Sequence, residues 1–304
     1  MNPENKFSMD KLPNYGGQAV IEGVMMRGKH SVALAMRAPN NEIITHIESL
    51  GKIYRSKLSK IPFLRGLVIL WDALVLGTRM LTLSANTQTG EDEQLEGPFL
   101  YLTLGISLLV GIALFSLLPA FIGQITERTL FDQISGSAWL GNLVEGLVRL
   151  GILIGYIWAI GNMQDIRRVF AYHGAEHMTI NAFEDGADLT PKNVSRYSLQ
   201  HPRCGTAFLL TVVLISVLLF SFLGPLPLLW RLLTRVLLLP VVAGLAYEYI
   251  RWTAKHLDSP LVKLMVKPNL ALQLLTTRRP SEDMLEVSIT AFNAMRMAEN
   301  EFIS

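Results

Sequence analysis

Charge is scarce in this chain. Asp, Glu, Lys and Arg make up 17% of its 304 residues, against about 25% in soluble domains, while 50% of its residues are hydrophobic. That balance excludes a disordered chain and argues against a purely aqueous one. Cysteine is scarcer still. Cys204 stands alone, which excludes an internal disulfide framework and any four-cysteine zinc module. The net charge is only +2, too small for a general nucleic-acid binder, so no nucleic-acid partner is expected. Neither G-x-x-x-x-G-K-[ST] nor G-x-G-x-x-G occurs, so no phosphate or dinucleotide loop is read. The first 15 residues lack the apolar core of a secretory signal, and direct insertion in a bacterial-type plasma membrane is the expectation.

What the chain has in abundance is long apolar stretches. Pro98–Thr126 carries no Asp, Glu, Lys or Arg over 29 residues, and Cys204–Trp230 none over 27. A helix needs roughly 20 apolar residues to cross the hydrocarbon core. Two further spans are read at about Asn142–Met163, with Glu145 and Arg149 in its first turns, and about Leu232–Arg251, with Arg235, Glu248 and Arg251 near its ends. Charges at those depths snorkel to the interface or face the bundle interior. Ile61–Leu83 is different: Arg65, Asp72 and Arg79 recur every seven residues, one charged stripe on an otherwise apolar helix, which suits an amphipathic helix lying in the interface.

Lys and Arg set the orientation. Residues 1–62 hold nine, the 164–203 segment five and the tail after Arg251 six, whereas the 127–141 connection holds only Arg128 and the turn near Gly224–Arg231 only Arg231. The expected fold class is therefore a polytopic α-helical membrane protein. It has about four transmembrane helices, one amphipathic interfacial helix and a small N-terminal antiparallel β-sheet on the cytoplasmic side, with both termini cytoplasmic. The organisation read is a β-rich cap over 1–60, the amphipathic helix and an acidic loop over 61–97, and a first transmembrane hairpin over 98–163. A cytoplasmic loop over 164–205, a second hairpin over 206–252 and a cytoplasmic tail over 253–304 follow.

The cap is read as short strands at Ala19–Met26, Ser31–Arg37 and Glu42–Glu48, the last two joined by Ala38-Pro39-Asn40-Asn41, which is turn chemistry. The 164–205 loop opens with a helix over Asp165–Glu184, stopped by Asp185-Gly186. A short helix starts at Thr190-Pro191. The tail is read as one helix, about Glu282–Glu301, with Ser281 at its N-cap.

The string Tyr172-His173-Gly174-Ala175-Glu176-His177 carries the chemistry. Two histidines four apart share a helix face and can bind one divalent metal, zinc by preference, with iron or manganese fitting the same donors. Glu176 beside them can serve as general base. The H-x-x-E-H order inverts the common H-E-x-x-H zinc-protease motif. A third ligand must come from elsewhere. His201 leads, Cys204 is a soft alternative, and Glu248 or Glu184 would supply a carboxylate. Against this, lone histidines on an interfacial helix simply hydrogen-bond to backbone or headgroups.

Gly16 to Gly28 is a second constellation. Gln18 and Glu22 share strand parity, so they could face the metal helix as an amide and a carboxylate, with Arg27 nearby. A strand with a solvated face explains the same residues. Arg203, between His201 and Cys204, is read as a site residue, while Arg278 and Arg279 fit attraction to anionic headgroups. Cys204 at the start of an apolar run also suits a small packed residue.

Together Gly16-Gly17-Gln18-Ala19-Val20-Ile21-Glu22-Gly23-Val24-Met25-Met26-Arg27, Tyr172 to His177 and His201-Pro202-Arg203-Cys204-Gly205-Thr206 resemble the YqhQ-like family of bacterial integral-membrane proteins, which has chloroplast relatives. The resemblance covers nearly the whole chain. It implies a metal-dependent enzyme and singles out Gln18, Glu22, Arg27, His173, Glu176, His177, His201, Arg203 and Cys204.

The expectation is a membrane-embedded metal-dependent hydrolase working at the cytoplasmic membrane boundary. Glu176, Glu22 and Arg203 would act catalytically on a lipid, an isoprenoid-linked molecule or a membrane-protein segment. The rival is a non-catalytic assembly or insertion factor for membrane proteins with a structural His/Glu cluster. A transporter is disfavoured by few spans and no internal repeat.

Overall fold

The computed structural model describes residues 15–51, 61–89, 97–130, 138–224 and 226–301. The acidic Glu91–Glu96 loop, residues 131–137 of the 127–141 connection and the side chain of Asp72 lie outside the described residues. Strands β1 (Gly16–Val20), β2 (Gly23–Arg27), β3 (Ser31–Arg37) and β4 (Ile43–Ser49) come first. Helices α1 (Leu64–Gln88), α2 (Gly97–Ile112), α3 (Leu118–Leu130), α4 (Ala138–Ile160), α5 (Gln164–Glu184) and α6 (Pro191–Val194) follow. The chain ends with α7 (Thr206–Ser221), α8 (Leu228–Leu237), α9 (Leu239–Lys255), α10 (Pro260–Thr276) and α11 (Glu282–Glu301).

The strands form one antiparallel sheet in the order β1-β2-β3-β4. The run read as a single strand over Ala19–Met26 is in fact a hairpin, with Val20 opposite Gly23 and Gly17 opposite Met26. Its turn, Ile21–Glu22, has none of the usual turn residues. Glu22 sits at φ 52, a left-handed conformation that costs a non-glycine residue about 1–2 kcal/mol. Its carboxylate offsets this by accepting from Arg168 of α5, Nε at 2.5 Å and Nη2 at 2.6 Å.

β2 and β3 are covered on both faces. Val24, Met26, Ala33 and Ala35 pack on α5 and α11, while Met25, Val32, Leu34 and Met36 pack against Met80 of α1. Two buried faces explain why Val32 to Met36 reads as an unbroken apolar run rather than an alternating one. α11 closes this unit. One oxygen of Glu299, Oε1, accepts from the backbone N–H groups of His30 (2.5 Å) and Ser31 (2.6 Å) and from Ser31 Oγ (3.0 Å). Glu299→Ala leaves those buried donors without an acceptor. It is expected to lower unfolding free energy by about 2–4 kcal/mol, measured by denaturation in detergent, with Glu299→Gln losing less.

Two helical segments, Gly97–Leu130 and Trp139–Ile160, are long and apolar enough to cross a membrane. The pair α8 and α9, bent by 45°, makes a third if counted as one span. The stretch Cys204–Trp230 does not continue as one helix. α7 has 16 residues, about 24 Å, and stops before Gly224 at φ 67 and Pro227, the N-cap of α8. Between α2 and α3 the backbone widens into a π-turn over Ala113–Leu117. Pro119 has no N–H to offer the Phe115 carbonyl one turn back, and Arg149 Nε takes that carbonyl instead at 2.9 Å.

The charges inside these segments face one another. Glu145 Oε1 accepts from Arg149 (2.8 Å) and Arg235 (2.8 Å), and Oε2 from Arg235 (2.7 Å) and Arg231 (3.3 Å). Arg231 also pairs with Glu127 at 2.7 Å. Asn142 Oδ1 accepts from both Arg231 and Arg235, and the Phe220 ring lies 4.2 Å from the Arg235 guanidinium carbon.

The apolar segment at 142–163 does not run on into the helix that follows it. Gly161-Asn162-Met163 separates α4 from α5. The tail holds a helix absent from the sequence reading, α10, which tolerates Pro268 in its interior. Leu272 of α10 joins Leu153, Ile157, Leu210 and Val213 in one apolar cluster, so α10 packs against α4 and α7.

Candidate metal centre

α5 brings His173 and His177 onto one face, as their spacing dictates. Their rings meet edge to face with centroids 4.4 Å apart. His173 Nδ1 donates to the Thr276 carbonyl of α10 at 2.9 Å, and His177 Nδ1 to the Leu199 carbonyl at 2.5 Å. A carbonyl only accepts, so each Nδ1 carries a proton and Nε2 is the ring atom left to serve as a metal ligand. His173 Nε2 lies 3.2 Å from Cys204 Sγ, while His177 Nε2 is buried with no hydrogen-bond partner.

Cys204 completes the group: one ligand atom from each of His173, His177 and Cys204 lies within 4.8 Å of the others. Thr206 at the start of α7 donates its backbone N–H to the sulphur at 3.4 Å, and its hydroxyl lies 3.1 Å away. His201 stands beside the trio rather than in it, its ring centroid 5.8 Å from that of His177. Its Nε2 is also buried and unbonded, 3.5 Å from Glu184 Oε2. The other Glu184 oxygen pairs with Arg203.

Residues that no motif flagged hold these ligands in place. Gln273 of α10, wholly buried, grips the His201 backbone at both ends, accepting from its N–H and donating to its carbonyl, each at 2.9 Å. Asn181 donates to the carbonyls of Ser198 and Gln200. A glutamine among the apolar residues of α10 is the one sequence signal for these groups. Arg278 caps the end of α10, donating to the Leu274 carbonyl at 3.1 Å and the Leu275 carbonyl at 3.3 Å.

Two glycines set the approach of the elements. A Cβ on Gly17 would meet the Met25 carbonyl oxygen at 2.5 Å and the Glu176 side chain at 3.0 Å. One on Gly174 would meet the Arg278 carbonyl oxygen at 2.2 Å. Bare backbone thus lets β1 lie against Glu176 and the 277–281 segment lie against α5. Gly17→Ala is expected to displace Glu176 and lower the thermal midpoint, whereas Gly16→Ala, with open space around it, is expected to be tolerated.

The remaining site residues lie elsewhere. Gln18 faces away from α5: a Cβ on Gly77 of α1 would meet its amide at 2.4 Å. Glu22 is held by Arg168 and receives the Tyr172 hydroxyl at 3.3 Å, because the turn at Ile21–Glu22 breaks the strand parity. Glu248 accepts from Arg65 of α1 (Nε, 2.7 Å) and from the Phe63 N–H (3.1 Å), so its carboxylate is committed to the α1–α9 contact. Arg27 and Arg203 line a cavity described below.

Burial dominates the electrostatics. It holds the His177 imidazole below its ordinary 6.5, opposed by the Cys204 thiol, and the His201 imidazole likewise, opposed by Glu176. It pushes the Glu176 carboxyl above its ordinary 4.5, opposed by His173, His201 and the Gly17 N–H. Unfolded imidazoles take protons that the buried ones refuse. Their stabilisation is therefore present above 6.5 and lost as pH falls below it. Glu176 acts oppositely: its stabilisation is present below 4.5 and lost as pH rises through its folded value. With two imidazoles against one carboxyl, chelator-treated protein is expected to lose thermal stability between about pH 7.5 and about pH 5, and Glu176→Gln to steepen that loss.

The chain is thus a mainly helical protein with apolar, membrane-length helices, a small antiparallel sheet and a buried His/Cys/Glu cluster between them. It belongs to the family described as "Protein of unknown function (DUF1385)", which it matches over residues 61–298. It is 37% identical to the "Uncharacterized protein YqhQ" of Bacillus subtilis (strain 168), over 94% of this chain and 93% of that protein. No solved structure matches it.

Proposed function

We propose that this protein is a four-span plasma-membrane protein whose termini and α5–α6 segment face the cytoplasm, and that it is a metal-dependent hydrolase. The distribution of Lys and Arg supports that orientation. α7 and the bent pair α8–α9 serve as the third and fourth spans, with the Glu145 network inside the bundle. His173, His177 and Cys204 hold the metal, with His201 alongside. The observation that carries this reading is the pair of Nδ1 protons committed to backbone carbonyls, which leaves Nε2 of each ring as the ligand atom beside one thiol. Tetrahedral zinc sets its donors about 3.3–3.6 Å apart, from bond lengths of about 2.0–2.3 Å; His173 Nε2 and Cys204 Sγ are already 3.2 Å apart, and all three ligand atoms lie within 4.8 Å of one another.

Imidazole and thiolate donors favour zinc over magnesium or calcium. A divalent cation held there supplies a Lewis acid that polarises a substrate oxygen and acidifies water. Glu176, buried beside the ligands with a raised pKa, is suited to take the proton of the attacking water and return it to the leaving group. Gln273 and Thr276 position the ligands. Substrate enters at the cytoplasmic membrane boundary from the bilayer.

A second reading, an assembly or insertion factor, draws on the apolar face that α1 leaves open: Trp71 is 64%, Leu74 59% and Val75 52% exposed. Glu176→Gln separates the two. If the protein is a hydrolase, the variant folds and retains metal but fails to complement a deletion strain. Full complementation by a folded Glu176→Gln chain would sink the enzyme reading in favour of the assembly factor.

A further inference from the structure

A cavity of about 350 Å³ lies between the sheet edge and the last two turns of α9. Four cationic side chains line it, Arg27, Arg203, Arg251 and Lys255, together with Tyr15 and Tyr247, and no carboxylate does. Its size falls within the range of small-ligand sites. Positions 247, 251 and 255 are four apart, so they present one face of α9 to the cavity. Lys255 makes no hydrogen bond or ion pair among the described residues, and the Arg251 guanidinium has only the more distant charge of Glu248, itself bound to Arg65. Arg203 is tied to Glu184, yet its Nε is buried without a partner. Like charges brought together repel one another unless an anion sits among them.

The cavity adjoins the metal centre by two routes. Arg203 lines it and pairs with Glu184, whose other oxygen lies 3.5 Å from His201 Nε2. Gly16 forms part of its wall, and the next residue, Gly17, donates its N–H to Glu176. It also sits at the end of an apolar helix. Trp252 is 46% exposed on α9, and tryptophan and tyrosine concentrate where headgroups meet hydrocarbon.

We infer, resting on the metal-centre reading above for the reaction itself, that this cavity binds the phosphate group of a lipid headgroup and presents it to the His173/His177/Cys204 centre. Arginine forks and a lysine ammonium are the side chains that recognise phosphate oxygens. The two tyrosines supply hydroxyl donors and apolar walls. The depth of α9 favours a lipid over a free phosphate compound.

The test uses the full chain in neutral detergent. Its thermal midpoint is titrated with short-chain phosphatidic acid, with a diacylglycerol of the same tails, and with inorganic phosphate. Saturable stabilisation by phosphatidic acid, none by diacylglycerol, and at least about tenfold weaker binding of inorganic phosphate are expected. Arg251→Gln and Lys255→Gln should each weaken phosphatidic acid binding about tenfold. These residues touch no metal ligand, so metal content should stay unchanged. An equal response to diacylglycerol, or an unchanged response in the folded double variant, overturns the assignment. Equal binding of inorganic phosphate, lost in the double variant, overturns the lipid as source and leaves a soluble phosphate compound. Anion binding in a chain that holds no metal defeats the enzyme reading but not the cavity; metal without anion binding defeats the cavity alone.

Discussion

The intact chain, purified without chelator, is expected to carry about one zinc-class metal ion, and His173→Ala or His177→Ala close to none. The effect should be near all-or-none because each histidine is one of three donors, and His201, its ring centroid 5.8 Å from that of His177, stands outside the trio. Cys204→Ala should also lose metal, because the thiol is the third donor in the group. Thr276 meets His173 through its carbonyl alone, its hydroxyl donating to the Gln273 carbonyl, so Thr276→Val should leave the His173 tautomer intact and the metal in place. Glu248→Gln should hold its full complement, since that carboxylate is engaged with Arg65. Elemental analysis of each folded variant reads the result. Wild-type protein devoid of metal, or His177→Ala retaining it, would falsify the proposed centre.

The largest stability effect is expected at Glu145. It is 1% exposed and both its oxygens accept from arginines. Glu145→Ala strips Arg149 and Arg235 of their carboxylate and leaves Arg231 with Glu127 alone. Removing one partner of a buried ionic cluster costs about 3–5 kcal/mol, because the charges left behind stay desolvated. Unfolding of purified protein and the yield of membrane-integrated chain should both fall sharply. Glu145→Gln keeps an acceptor but not the charge, and should fall between wild type and Ala. A Glu145→Ala chain as stable as wild type would mean that water reaches this network and screens it.

Local chemistry made much of this protein legible. The 3.6-residue period and the Asp185-Gly186 stop place α5 at 164–184 against a sequence reading of 165–184, with Gly186 at φ 74. Thr190 caps α6 as expected, accepting from the Asn193 N–H at 3.3 Å, and the 282–301 helix stands where its apolar period put it. The β3–β4 hairpin follows its Pro-Asn-Asn turn. The β1–β2 turn was not legible, because Ile21–Glu22 reaches its conformation only with Arg168 of α5 holding the carboxylate. α10 is not legible in the sequence because Pro268 and a mixed composition hide a helix whose stability comes from packing on α4 and α7.

The sequence by itself determined that the chain has membrane-length apolar helices, that two imidazoles and a carboxylate share one short helix, and which local turns begin and end that helix. Those properties depend on residues a few positions apart. Only the tertiary structure decided which distant groups join them. Cys204 lies within ligand reach of both imidazoles, Gln273 fixes His201, and Glu248 and Gln18 are taken by α1. Such choices depend on how α5, α7, α9 and α10 pack, and on burial that forces each polar group to find a partner or remain an open donor site.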